Sequence, residues 1–200
     1  MTILFIGPGG DAAANSLRQV GLRVRQAVPK ASAQPVVELW DAAADRPKVD
    51  AELNDGPHVM YFGHGYEDAL GDPPLVDSKN VGSASSRIVL AMCCSSASQL
   101  GQDAVSQYLV TSYLGFTRPI FVPLFEASWS FAPWCVAGTQ LVEGATSGTA
   151  EEAMRQGLRQ EGDRILRNQI PSYEKAVNDM QVHYGMAHTF VCIGDRDASL

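Results

Sequence analysis

Tyr61-Phe62-Gly63-His64-Gly65 and Ile88-Val89-Leu90-Ala91-Met92-Cys93-Cys94-Ser95-Ser96 are the two stretches whose reading decides the fold. Each is a run of strand-type residues that ends on a chemically capable side chain. Read as neighbouring strands of a parallel sheet, they deliver an imidazole and a thiol to one edge, where α/β proteins place their sites. A His and a Cys brought together there are the parts of an activated nucleophile. Successive residues of extended chain face opposite ways, so only one of Cys93 and Cys94 can face the crevice, and the other is expected to be buried. The bland alternative is a histidine in a Gly-rich turn beside small, inert core thiols.

Working outward, strand and helix signals alternate. Strands are expected at Ile3–Ile6, Val36–Trp40, His58–Phe62, Arg87–Met92, Pro119–Phe125 and Thr189–Ile193. Helices are expected at Ala12–Val28, Ala42–Leu53, Asp103–Leu114, Ser130–Val142 and Thr149–Ile170, the last opened by a Thr149/Glu152 capping box. Tyr66–Ser86, rich in Gly, Pro, Asp and Ser, reads as a long loop at a strand end, where functional loops are common. Strands separated by helices predict an α/β fold with a mostly parallel sheet of about six strands and helices on both faces.

Composition narrows the function. Two hundred residues with 46% hydrophobic and 18% charged side chains fit one globular domain over residues 1–200. A net charge of −7 argues against nucleic acid as a partner. No apolar run approaches the roughly 18 residues of a membrane span. Met1–Gly7 lacks a basic leader and reads as a buried strand rather than a signal peptide. The four cysteines, Cys93, Cys94, Cys135 and Cys192, do not form a secreted disulfide framework, so a reducing cytoplasm is expected.

Other chemistries fit less well. Cys93, Cys94 and His64 lack the C-x₂-C spacing of a metal site. Gly7-Pro8-Gly9-Gly10 could hold an anion at a helix N-terminus, but matches no nucleotide-binding fingerprint. The serine cluster after Cys94 lacks a nucleophile elbow. His58, His183 and His188 lie in or beside apolar runs and read as structural. Phe131 and Trp134 read as packing residues, whereas Trp129 could also line a pocket.

The ordered motifs resemble the CHAT branch of the caspase-like cysteine peptidases, the clan that includes separases and metacaspases. Tyr61–Gly65 resembles that branch's strand ending in His-Gly, and Val89–Cys93 its V-L-S-A-C strand. Ile120–Phe125 resembles the next strand, with Phe125 in place of Trp. Thr149–Ala153 resembles a helix start and Ala187–Asp195 the closing strand, so the likeness spans about residues 58–195. It departs at Met92, where a small residue is usual, and at Cys94, where an acidic or polar one is.

The resemblance implies a caspase-like three-layer sandwich and selects Cys93 as the nucleophile. His64 would protonate the leaving amine, and the backbone N–H groups of Gly65 and Cys93 would form an oxyanion hole. Ala91, Phe125, Glu126 and Trp129 are the substrate-pocket candidates. Ala91, where basic-specific relatives carry Asp, points to a small or apolar residue at the cleavage point; Glu126 keeps a basic one open. No metal or organic cofactor is implied. The expected partners are a protein or peptide substrate and a regulatory protein, in a bacterial signalling or defence setting. Two rivals stand beside this reading: an inactive caspase-like scaffold that binds a partner, and a nucleotide- or anion-binding domain using Gly7–Gly10.

Overall fold

Ile3–Gly7 (β1), His58–Phe62 (β3), Ile88–Met92 (β6) and Ser112–Phe116 (β7) are buried along their whole length. Central strands of a sheet covered on both faces have this character. The computed structural model describes residues 2–29, 34–121, 130–168 and 172–200. The remaining strands are Val36–Trp40 (β2), the short Ala69–Leu70 (β4) and Val76–Asp77 (β5), and Phe190–Gly194 (β8). The helices are Ala12–Ala27 (α1), Arg46–Leu53 (α2), Leu100–Ser106 (α3), Ala132–Val142 (α4), Ser147–Asn168 (α5) and Tyr173–Thr189 (α6).

Six strands form one sheet in the order β2-β1-β3-β6-β7-β8, while β4 and β5 pair separately. All neighbours in the large sheet are parallel except β7 and β8. Side-chain alternation sorts the core into two layers. Phe5, Met60, Phe62, Leu90, Met92, Leu114 and Phe116 pack with residues of α1, α4, α5 and α6. Leu4, Ile6, Tyr61, Val89, Ala91, Cys93 and Tyr113 pack with α2, α3 and the connection from Leu70 to Ala84. The result is the three-layer sandwich, with mostly parallel strands and helices on both faces.

Local chemistry explains the best-defined helix. The Asp11 carboxylate caps α1, accepting from the Ala14 N–H at 2.9 Å. Gly21, unfavourable within a helix on propensity alone, lets α1 settle onto β3; a Cβ there would come within 2.7 Å of the Phe62 ring.

Four expectations need correction. The strand after β6 is Ser112–Phe116, not Pro119–Phe125. Residues 119–121 carry no regular structure, and 122–125 lie outside the described residues. Correspondingly, the helix expected at Asp103–Leu114 is the shorter α3. Leu109 turns left-handed (φ 59°) and reverses the chain into β7, a turn normally signalled by glycine. Thr149 does not cap α5, which begins at Ser147; its own N–H donates to the Thr146 hydroxyl at 3.3 Å. The long loop at Tyr66–Ser86 contains β4, β5 and a 3₁₀ turn at Val81–Ala84. Helix α6 was not anticipated.

His58 opens β3 and is only 2% exposed. Its Nδ1 accepts the Ile88 N–H at 3.1 Å, which requires an unprotonated nitrogen. Burial, assisted by the Arg87 charge, lowers its pKa to about 4. The folded protein therefore resists a proton that the unfolded chain takes up near pH 6.5, and stability falls as pH drops from about 6.5 towards 4. The shift corresponds to about 3 kcal/mol at most, less after solvent screening. Thermal unfolding at pH 7 and pH 5 should show a lower Tm at pH 5, and His58→Asn should flatten that difference. A pH dependence unchanged in the variant would remove His58 as its source.

Candidate active site

Parallel pairing of β3 and β6 sets Tyr61 opposite Ala91 and Phe62 opposite Met92. The segments that follow these strands, Gly63-His64-Gly65 and Cys93-Cys94, therefore emerge side by side at the carboxyl edge. The Gly63 N–H reaches the Met92 carbonyl at 3.4 Å. At Gly65 the two segments touch: an added Cβ would overlap the Cys93 sulfur and lie 2.8 Å from its Cβ. Glycine at 65 is what permits this approach.

The backbone around His64 is tied down. Its carbonyl accepts the Tyr61 hydroxyl at 2.6 Å and the Gly71 N–H at 2.9 Å. Gly65 and Leu70 form an antiparallel bridge. Among the described residues, the Gly65 N–H donates to none. The His64 ring is 44% exposed, and its Nε2 lies 2.9 Å from Asp11 Oδ2. Asp11 is thus a site residue that the sequence reading missed. It closes the Gly7–Gly10 turn, and that turn, weighed there only as an anion site, was the available signal. The Ala14 N–H and the neighbouring His64 hold the Asp11 carboxyl below its usual range.

Cys93 and Cys94 point to opposite sides of the sheet, as strand alternation requires. Cys93 is fully buried, and that burial pushes its thiol up to about 12; the Ser96 hydroxyl beside it partly offsets the effect. Contrary to the expectation that the nucleophile candidate faces the crevice and the other cysteine is buried, Cys94 is the half-buried one, accepting the Ile120 N–H at 3.4 Å, because Cys93 continues the alternation of Val89 and Ala91 into the core. All four cysteines are free. Ala91 lies in the core, two residues before Cys93 on the same face. Phe125, Glu126 and Trp129 lie outside the described residues. Thus the structure brings Gly65 and Cys93 into contact and joins His64 to Asp11, while Ala91 is withdrawn from solvent. Among the described residues, no group of three His, Cys, Asp or Glu could hold a metal ion. No described helix is long and apolar enough to cross a membrane.

Neither a family model nor a curated protein matches the sequence. Solved structures do match the fold. The crystal structure of the Arg-specific cysteine proteinase gingipain R aligns over all of this chain and 47% of that one, at 14% identity and a TM-score of 0.52. The complex of RgpB pro- and mature domains from Porphyromonas gingivalis aligns over all of this chain and 48% of that one, at 13% identity and a TM-score of 0.56. The fold is caspase-like. The chain spans about half the length of these neighbours, and at such identities the likeness speaks for architecture alone.

The contact between Gly65 and Cys93 has a measurable consequence. Gly65→Ala should destabilise the protein by about 1–3 kcal/mol through overpacking, read from urea unfolding. A variant as stable as the parent would show that the two strand ends are not held this closely.

Proposed function

We propose that this chain is a cysteine peptidase acting on a protein or peptide, seen in a resting state, with Cys93 as nucleophile and His64 as its proton-transfer partner. The observation that carries the reading is the close approach of Gly65, the residue after His64, to the Cys93 sulfur at the carboxyl ends of adjacent parallel strands. The caspase-like fold, shared with cysteine proteinases, agrees with it.

A thiol pushed up to about 12 is almost wholly protonated at neutral pH, so the resting site is not armed. Arming requires the turn bearing His64 and Gly65 to move off Cys93, so that the imidazole reaches the sulfur from the crevice and takes its proton. The thiolate then attacks the scissile carbonyl, forming a C–S bond while the carbonyl electron pair moves to oxygen. The unengaged Gly65 N–H and the Cys93 N–H are the donors that would receive that oxyanion. Collapse breaks the C–N bond, His64 supplies the proton to the departing amine, and water hydrolyses the thioester. Asp11, bonded to Nε2, holds the ring in one orientation and leaves Nδ1 without a bond among the described residues. No cofactor enters this scheme, and a regulatory protein partner is a natural agent for opening the site.

The complete burial of Cys93 favours a second reading, an inactive caspase-like scaffold that binds a partner through the same edge. Labelling separates the two. A peptide carrying an electrophilic carbonyl should modify Cys93 ahead of Cys94, Cys135 and Cys192, and His64→Ala should slow that reaction at least tenfold. Equal, slow modification of all four thiols, indifferent to His64→Ala, would support the scaffold instead.

A further inference from the structure

Beside Cys93 the chain buries two hydroxyls that make no well-formed hydrogen bond. Ser96 and Tyr113 are 0% exposed, and neither Ser96 Oγ nor the Tyr113 hydroxyl has a partner in good hydrogen-bonding geometry, although Ser96 lies next to both the Cys93 thiol and the Tyr113 hydroxyl. Buried polar groups are normally paired, and an unpaired one weakens the fold. Here the arrangement is built rather than left over. Ser95 turns left-handed (φ 53°) directly after Cys94, and the Ser96 carbonyl accepts the Gly101 N–H at 2.9 Å. The Ser96 side chain is thereby directed into the interior.

Two glycines clear the space that the Ser96 hydroxyl and the Tyr113 ring occupy. A Cβ at Gly115 would lie 3.1 Å from Ser96 Oγ and 3.2 Å from the Tyr113 ring. One at Gly101 would come within 2.7 Å of that same ring. Tyr61 makes an informative contrast: its hydroxyl, on the same face of the sheet, is satisfied by the His64 carbonyl. The Ser96 hydroxyl neighbours both the Cys93 thiol and the Tyr113 hydroxyl, and it favours the ionised form of each.

We propose that Ser96 and Tyr113 are positioning residues for Cys93, a buried chain of two hydroxyl donors that closes on the sulfur when its proton leaves. A thiol proton needs no donors around it, whereas a thiolate does. On ionisation the S–H bond breaks, its electron pair stays on sulfur and the proton passes to the His64 imidazole, its partner in the proposed mechanism. Ser96 then donates to the thiolate, and Tyr113 donates to the Ser96 oxygen that this rotation orients. Both idle hydroxyls become satisfied in the one state that catalysis requires. The proposal rests on the reading of Cys93 as nucleophile.

Two variants test it in the full chain: Ser96→Ala and Tyr113→Phe, each removing one hydroxyl and little else. Alkylation of Cys93 by iodoacetamide is followed by mass spectrometry between about pH 6 and pH 9, with Cys94 as internal reference, because the thiolate is the reacting form. The expected result is a Cys93 rate that rises with pH. Ser96→Ala should lower it about tenfold and Tyr113→Phe several-fold, with Cys94 unchanged and Tm equal to or above the parent's. A merely structural pair would instead lower Tm. Unchanged Cys93 rates in both variants would overturn the proposal. So would rates that fall only together with Tm, or a parent Cys93 equally inert at both ends of the pH range. Parallel peptide-cleavage assays keep the two claims apart. Reactivity that follows these expectations with no cleavage removes the peptidase reading and leaves the donor chain; cleavage indifferent to both variants does the reverse.

Discussion

Parallel hydrogen bonding between β3 and β6, with Phe62 opposite Met92, is the constraint from which the candidate site follows. Side chains alternate along a strand, so a one-residue change of register would send each buried residue to the other layer. Phe62 and Met92 would then lose the cluster they share with α1 and α4, and Tyr61 and Ala91 the one they share with α2 and α3. Because both layers are filled, the register is fixed by core packing rather than by the site. The turn bearing His64 and the turn bearing Cys93 inherit their proximity from it.

The same packing accounts for the closed character of the site. Cys93 continues the alternation of Val89 and Ala91 into the inner layer, so apolar burial that strengthens the sheet also disfavours its thiolate. Asp11 engages the imidazole at Nε2 while capping α1. The fold therefore carries Cys93 and His64 on adjacent turns, with the thiol buried.

Much of this was legible in the chain because the signals were strong. Continuous apolar runs marked β1, β3 and β6, the first two closed by glycine, and the alternation of extended chain separated Cys93 from Cys94. The interval from Asp103 to Phe125 was misread for a physical reason. Ser112-Tyr113-Leu114-Gly115-Phe116 carries a serine and a glycine where a strand is expected to be apolar. Both are explained by tertiary contacts: Ser112 donates to the Asp195 carbonyl, and Gly115 clears room for Ser96 and Tyr113. Asp11 was missed because its role depends on the β1–α1 turn meeting the His64 turn, 53 residues away in sequence. Local pattern carries no information about such a meeting.

The central claim is that Cys93, not the more exposed Cys94, is the nucleophile, with His64 beside it. A crystal structure of the chain after reaction with a peptide chloromethyl ketone tests this most directly. The account predicts a thioether on Cys93 Sγ, the Gly65 turn moved off the sulfur, and His64 against the modified carbon. A thioether on Cys94, with Cys93 still buried beneath Gly65, would contradict it.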